Sequence, residues 1–120
     1  MFRIEDNTIH LTRGDKAIIV FSIDGYKFEP TDVVRFAVYL EKKLNQPPLF
    51  EKIIMNIPDK EGVEIVINPE DTQVVEMANK PIKCWFEIEL NDEQTVLGYD
   101  ENGPKFLILY PEGADENAKS

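Results

Sequence analysis

The chain has 120 residues, 42% of them apolar, and a formal charge of −10 from 13 basic and 23 acidic side chains. This length suits one domain whose core needs no cross-link, while the acidity disfavours phosphate backbones and anionic membrane surfaces as partners. A single cysteine, Cys84, excludes an intrachain disulfide and fits a reducing cytoplasm. The opening Met1–Asp6 carries no apolar run with a small-residue cleavage site, so no signal peptide is expected. The longest apolar runs, Ala17 to Phe21 and Phe106 to Tyr110, are too short to cross a bilayer, and no membrane insertion is expected.

Along the chain, apolar residues recur with period two between turn residues, the mark of half-buried strands. Thr8 to Thr12 is the first strand expected, ending at Arg13-Gly14-Asp15. In Lys16 to Ile23 the residues Ala17, Ile19, Phe21 and Ile23 share a face; Ile18 and Val20 make the other face apolar too, which predicts cover on both sides. Turns follow at Asp24-Gly25 and at Glu29 to Asp32. Val33 to Leu40 alternates, with Val34, Phe36, Val38 and Leu40 inward, and Glu41 to Pro48 reads as a loop. Leu49 to Met55 and Val63 to Ile67 are further strands.

Asn68-Pro69-Glu70-Asp71 interrupts the alternation with a capping residue, a proline and acids, which opens a helix. The segment predicts a short crossover helix over about residues 69–77, stopped by Asn79 and Pro81. Ile82 to Leu90 alternates most clearly: Ile82, Cys84, Phe86, Ile88 and Leu90 point inward, while Lys83, Trp85, Glu87 and Glu89 point outward. Strands at Gln94 to Tyr99 and Phe106 to Tyr110 close the list. The pattern predicts an all-β protein, an immunoglobulin-like β-sandwich of seven or eight strands, in one domain over residues 1–110. Residues 111–120 read as an acidic flexible tail.

Chemistry-bearing residues are few. The serines are Ser22, within a strand, and Ser120, the last residue, so neither sits beside a base. Cys84 and His10 would have to meet to form a thiol nucleophile; Cys84 lies in the inward phase of its strand, where a thiol acts as apolar filler. Paired acids such as Glu87 and Glu89 beside Trp85 suit either a sugar reader or a solvated sheet face, and the solvated face is the simpler reading. Asp100-Glu101-Asn102-Gly103 has the opening of a calcium loop without its later ligands, and a turn explains it equally. Arg13-Gly14-Asp15 matches an adhesion triplet but falls where a turn between strands needs glycine and aspartate. No catalytic residue, metal site or cofactor is expected.

The run LTRGDKAIIVFSIDGYKFEPTDVVRFAVYL, then IVINPEDT, then KCWFEIELNDEQTVLGY, resembles a family of small phage and prophage tail or baseplate proteins of Gram-positive bacteria. Their domain is similar to the N-terminal immunoglobulin-like domain of phage upper baseplate proteins. The resemblance rests on Arg13-Gly14-Asp15, Gly25-Tyr26 with Asp32, Asp71-Thr72, and Trp85-Phe86 with Asn91-Asp92, and it departs from the pattern at Asn79-Lys80-Pro81. It implies a virion component made in the bacterial cytoplasm and assembled with other virion or tail subunits, with homo-oligomerisation open. It implies no cofactor and no catalytic residues, and the charge of −10 argues against a nucleic-acid partner. The expected contact surface comprises Trp85, Glu87, Val96 and Leu97. A carbohydrate-binding sandwich module is the alternative.

Overall fold

The computed structural model describes residues 1–40 and 46–112. Most of the expected loop after Leu40 and the tail from residue 113 onward therefore lie outside the described residues. Nine strands are described: β1 (Phe2–Glu5), β2 (Thr8–Thr12), β3 (Ala17–Phe21), β4 (Val34–Tyr39), β5 (Phe50–Ile54), β6 (Val63–Ile67), β7 (Ile82–Leu90), β8 (Gln94–Leu97) and β9 (Lys105–Tyr110). One helical turn, α1 (Pro69–Thr72), links β6 to β7.

The strands form an all-β sandwich of unequal layers. The large sheet runs β1-β2-β9-β7-β4-β5, with β8 continuing the β9 side of β7. The small sheet is β3 paired with β6. A parallel β2–β9 pair at one side, β7 and β4 at the centre, and β3–β6 as the facing layer is the immunoglobulin-type order.

Alternation places the core between the layers. Ala17, Ile19, Val63, Ile65 and Ile67 descend from the small sheet. Val34, Phe36, Val38, Cys84, Phe86 and Ile88 rise from the large one to meet them. Phe36 and Phe86 pack ring to ring, 5.7 Å between centroids, in the middle of this layer. Of the residues expected inside, Phe21, Ile23 and Ile82 are only partly buried, and Leu40, just past the end of β4, is 41% exposed.

Two loop residues complete the core. Phe28 is 1% exposed and packs edge-on against Tyr26 at 5.4 Å; Ile57 is 3% exposed.

Three features differ from the expectation. First, β1 adds a strand at the sheet edge. Asp6 and Asn7 both take positive φ, which makes the two-residue hairpin turn that folds β1 back on β2. Second, β3 is covered on one side only: Ile18 is 47% and Val20 68% exposed. The small sheet has no further layer over it among the described residues.

Third, α1 ends at Thr72 and does not reach residue 77. Arg13 is the cause. Its Nε donates to the Val75 carbonyl at 2.7 Å and its Nη2 to the Gln73 carbonyl at 3.0 Å, so those oxygens bind a side chain from β2's end. Nη1 pairs with Glu112, and the Gly14 amide donates to Thr72 Oγ1 at 2.8 Å. Gly14 has φ +87°, and an added Cβ would lie 3.1 Å from Gln73 Nε2. The Arg-Gly-Asp triplet is thus a latch between the first strand corner and the crossover.

At the opposite corner, Asp32 is 6% exposed and accepts three hydrogen bonds: from Tyr26 Oη at 2.6 Å, the Glu29 amide at 2.9 Å and Asn91 Nδ2 at 3.0 Å. Asn91, at positive φ, also exchanges bonds with the Val33 backbone through Oδ1 at 2.7 Å and its own amide at 2.8 Å. These contacts tie the entry of β4 to the exit of β7.

Two predictions follow from this packing. Phe36→Ala or Phe86→Ala opens a cavity at the ring pair and costs about 3–5 kcal/mol in urea unfolding; a loss below about 1 kcal/mol would place the core elsewhere. The second concerns pH. The bonds from Asn91, Glu29 and Tyr26 hold the Asp32 carboxyl below its usual range. A carboxyl depressed in the folded state stabilises it above the ordinary carboxylate range, and that contribution is lost as the pH falls through the folded value. Asp32→Asn therefore lowers the midpoint at neutral pH, and the gap from the parent closes as the pH falls below the ordinary carboxylate range. Tyr26, hydrogen-bonded to Asp32, is pushed up to about 12. Its neutral form stabilises the fold fully up to pH 10, and the contribution fades as the pH rises towards that value. Parallel acid limbs in parent and variant count against the Asp32 assignment.

Candidate functional site

The outer face of the large sheet carries the expected Trp85 and Glu87. Strand register puts Tyr39 opposite Trp85, Ala37 opposite Glu87 and Arg35 opposite Glu89 across β4 and β7. On the other flank Ala37 faces Glu51 of β5. The period-two pleat therefore gathers one arginine, three glutamates, a tyrosine and a tryptophan onto one surface.

Arg35 is the hub. Its Nε lies 2.6 Å from Glu51 Oε2, and Nη1 lies 3.3 Å from Glu89 Oε1 and 3.4 Å from Glu87 Oε2. Nη2 donates to Tyr39 Oη at 3.2 Å, and that hydroxyl donates to Glu87 Oε2 at 3.2 Å. Burial works against the guanidinium charge, yet the Tyr39 hydroxyl and Glu51 outweigh it and hold its pKa above the ordinary value. Beneath the cluster Ala37 is fully covered.

Beside the cluster, Tyr39 stacks on Trp85 with centroids 4.5 Å apart and planes 18° from parallel. The indole Nε1 is buried and has no hydrogen-bond acceptor among the described residues. Further along the same face Lys83 Nζ sits 4.6 Å over the Phe106 ring, and His10 stacks on Tyr110 at 5.8 Å with Nδ1 2.7 Å from its hydroxyl. The face is an aromatic band threaded by charges, those around Arg35 paired with one another and Lys83 set over an aromatic ring.

Val96 and Leu97 belong to a different place. Leu97 pairs with Ile88, an inward residue, and both Val96 and Leu97 pack against the core. A bulge explains this: the register shifts between Ile88 and Glu89, whose partners are Leu97 and Thr95, so Val96 is the extra residue. The expected surface thus divides, with Trp85 and Glu87 outside and Val96 and Leu97 turned inward. The chain then leaves β8 over the glutamate row. Gly98 is buried there, and a Cβ on it would lie 3.2 Å from Glu87 Cβ and 2.8 Å from Thr95 Cγ2.

The sequence did not single out Arg35 or Tyr39 as site residues. Their place opposite Glu89 and Trp85 depends on which strands become neighbours.

Cys84 and His10 do not meet. Cys84 is buried between the layers, and burial pushes its thiol up to about 11. His10 lies on the outer face, opposite Ile108. Asp100 is bonded to Lys105 Nζ at 2.9 Å and to the Asn102 amide at 2.8 Å in a turn closed by the Asp100–Gly103 bridge. Among the described residues no three His, Cys, Asp or Glu side chains are grouped to hold a metal ion, and no helix is long and apolar enough to cross a membrane.

Comparison with protein families, characterised proteins and solved structures gives no match.

The Arg35 hub makes a prediction about salt. Arg35→Met leaves Glu51, Glu87 and Glu89 facing one another and costs about 1–3 kcal/mol at low ionic strength. About 1 M salt screens that repulsion and returns part of the loss. Equal destabilisation at both ionic strengths would show that the guanidinium acts by packing alone.

Proposed function

We propose that this chain is a non-catalytic structural module that works by protein–protein contact, as a component of a phage or prophage tail or baseplate. One observation carries the contact reading: Trp85 and Tyr39 form a pre-stacked aromatic pair on an open sheet face, bordered by charges already paired among themselves. Aromatic side chains held rigid by their neighbours are the residues that anchor protein interfaces, because little freedom remains to be lost on binding. The virion assignment rests on the resemblance in the strand turns, and the chain would join the particle after synthesis in the bacterial cytoplasm.

Two features support a protein partner over other ligands. A sugar platform needs a free ring face and unpaired polar groups. Here Tyr39 covers one face of Trp85, and Glu87 is already bonded to Arg35 and Tyr39. The net charge of −10 opposes a nucleic-acid backbone.

Trp85 is the single tryptophan, so its emission reports on this surface alone. Titrating the protein with the tail subunits encoded beside it is expected to shift that emission. Trp85→Ala is expected to weaken the complex about thirtyfold or more, as for an interface anchor. Unchanged emission together with full-strength assembly of Trp85→Ala would refute the contact, and binding of free oligosaccharide at the same tryptophan would favour the sugar reader.

A further inference from the structure

The opposite layer holds a second feature, independent of the Trp85 surface. Strand β3 has β6 on one side and no partner on the other among the described residues. Beside its open edge lies a cleft of about 460 Å³. Ile9 of β2 and Ile19 of β3 form its walls, Leu97 closes one end, and its floor reaches Phe36, Phe86 and Ile88 of the core. Strand β1, which could have covered the edge, is turned back by Asp6-Asn7 and pairs with β2.

The edge is also unprotected. Exposed strand edges are commonly blocked by charge or proline. Here β1 carries Arg3 and Glu5, β5 carries Glu51 and Lys52, and β6 carries Glu64, whereas Ala17–Phe21 has neither a charge nor a proline. Its exposed side chains run Lys16, Ile18, Val20, Ser22, Asp24, with a base before the strand, an acid after it and apolar residues between.

We propose that the open edge of β3 accepts an extended segment of another protein chain as an added strand. Its alternate apolar side chains would enter the cleft, with a basic residue beside Asp24 and an acidic one beside Lys16. Charge complementarity selects this occupant: Asp24 is the one charged residue lining the cleft, and the chain as a whole is strongly acidic. Backbone pairing would supply affinity and the buried alternate side chains specificity. A second copy of this chain offering the same edge does not fit. Antiparallel pairing of two β3 edges puts both large sheets on one side, where β1 and β2, which extend below the open edge, would collide. A lone segment has no such layer.

The probe is a capped synthetic peptide of about nine residues, lysine first, then alternating valine and threonine, glutamate last. Antiparallel pairing puts its lysine beside Asp24. Adding it to the full chain is expected to slow amide exchange across residues 17–23 about tenfold or more, while a scrambled peptide does not. Asp24→Lys is expected to weaken binding about tenfold, and replacing the peptide's lysine by glutamate is expected to restore it. This double reversal needs no change inside the fold. Protection absent, confined to the β1 or β5 edge, or equal with the scrambled peptide would overturn the proposal. None of these results bears on Trp85, whose emission is read separately.

Discussion

The structure turns on a mismatch of width: a sheet of two strands must cover the inner face of a sheet of seven. Burial of apolar area is the main favourable term in folding, and β3 and β6 alone cannot shield the whole inner face. The rest of the chain compensates. Phe28 and Ile57 close the core from loops, and Val75 and Met77 pack against it from the segment after α1. Such segments hold their place only if their backbone groups are satisfied, which is what the Arg13 latch and the Asp32 corner accomplish at opposite ends. Both are multi-bond anchors on residues that are otherwise turn formers.

The same mismatch decides what remains exposed. Where cover runs out beside β3, the cleft stays open to the central rings. Where no third layer lies over the small sheet, Ile18 and Val20 face outward. The outer face of the large sheet also has no layer over it among the described residues, but there the chain has placed charge and aromatic side chains that satisfy one another. Arg35 serves three carboxylates and a hydroxyl, so this face tolerates water while keeping Trp85 and Tyr39 in fixed orientation.

Much of the fold was legible because alternation is a local signal. Phe36, Phe86, Val38 and Ile88 could be placed inside from period two alone, and Trp85 and Glu87 outside by the same count. What failed was non-local. Ile18 and Val20 look covered because an apolar residue on the second face normally implies another layer; the described residues do not supply one. The helix looks longer because Val74, Val75 and Glu76 do not forbid it, whereas the folded segment bonds its Gln73 and Val75 carbonyls to a guanidinium arriving from residue 13. Strand β1 is short and carries two charges in four residues, so it shows little apolar pattern; its evidence is the Asp6-Asn7 turn.

The divided contact surface follows the same logic at finer scale. A period-two count is sound until one extra residue enters a strand, after which each later side chain changes face. Val96 is that residue, and nothing in Gln94 to Leu97 announces a bulge, since it is fixed by how β8 lies against β7. Arg35 and Tyr39 are the reverse case. Their outward phase could be counted, but their partners belong to β5 and β7, so the cluster exists only once sheet order is known. An amphipathic strand therefore reveals which residues share a face, and the neighbouring strands determine whether that face becomes a paired surface, as around Arg35, or an open edge, as along β3.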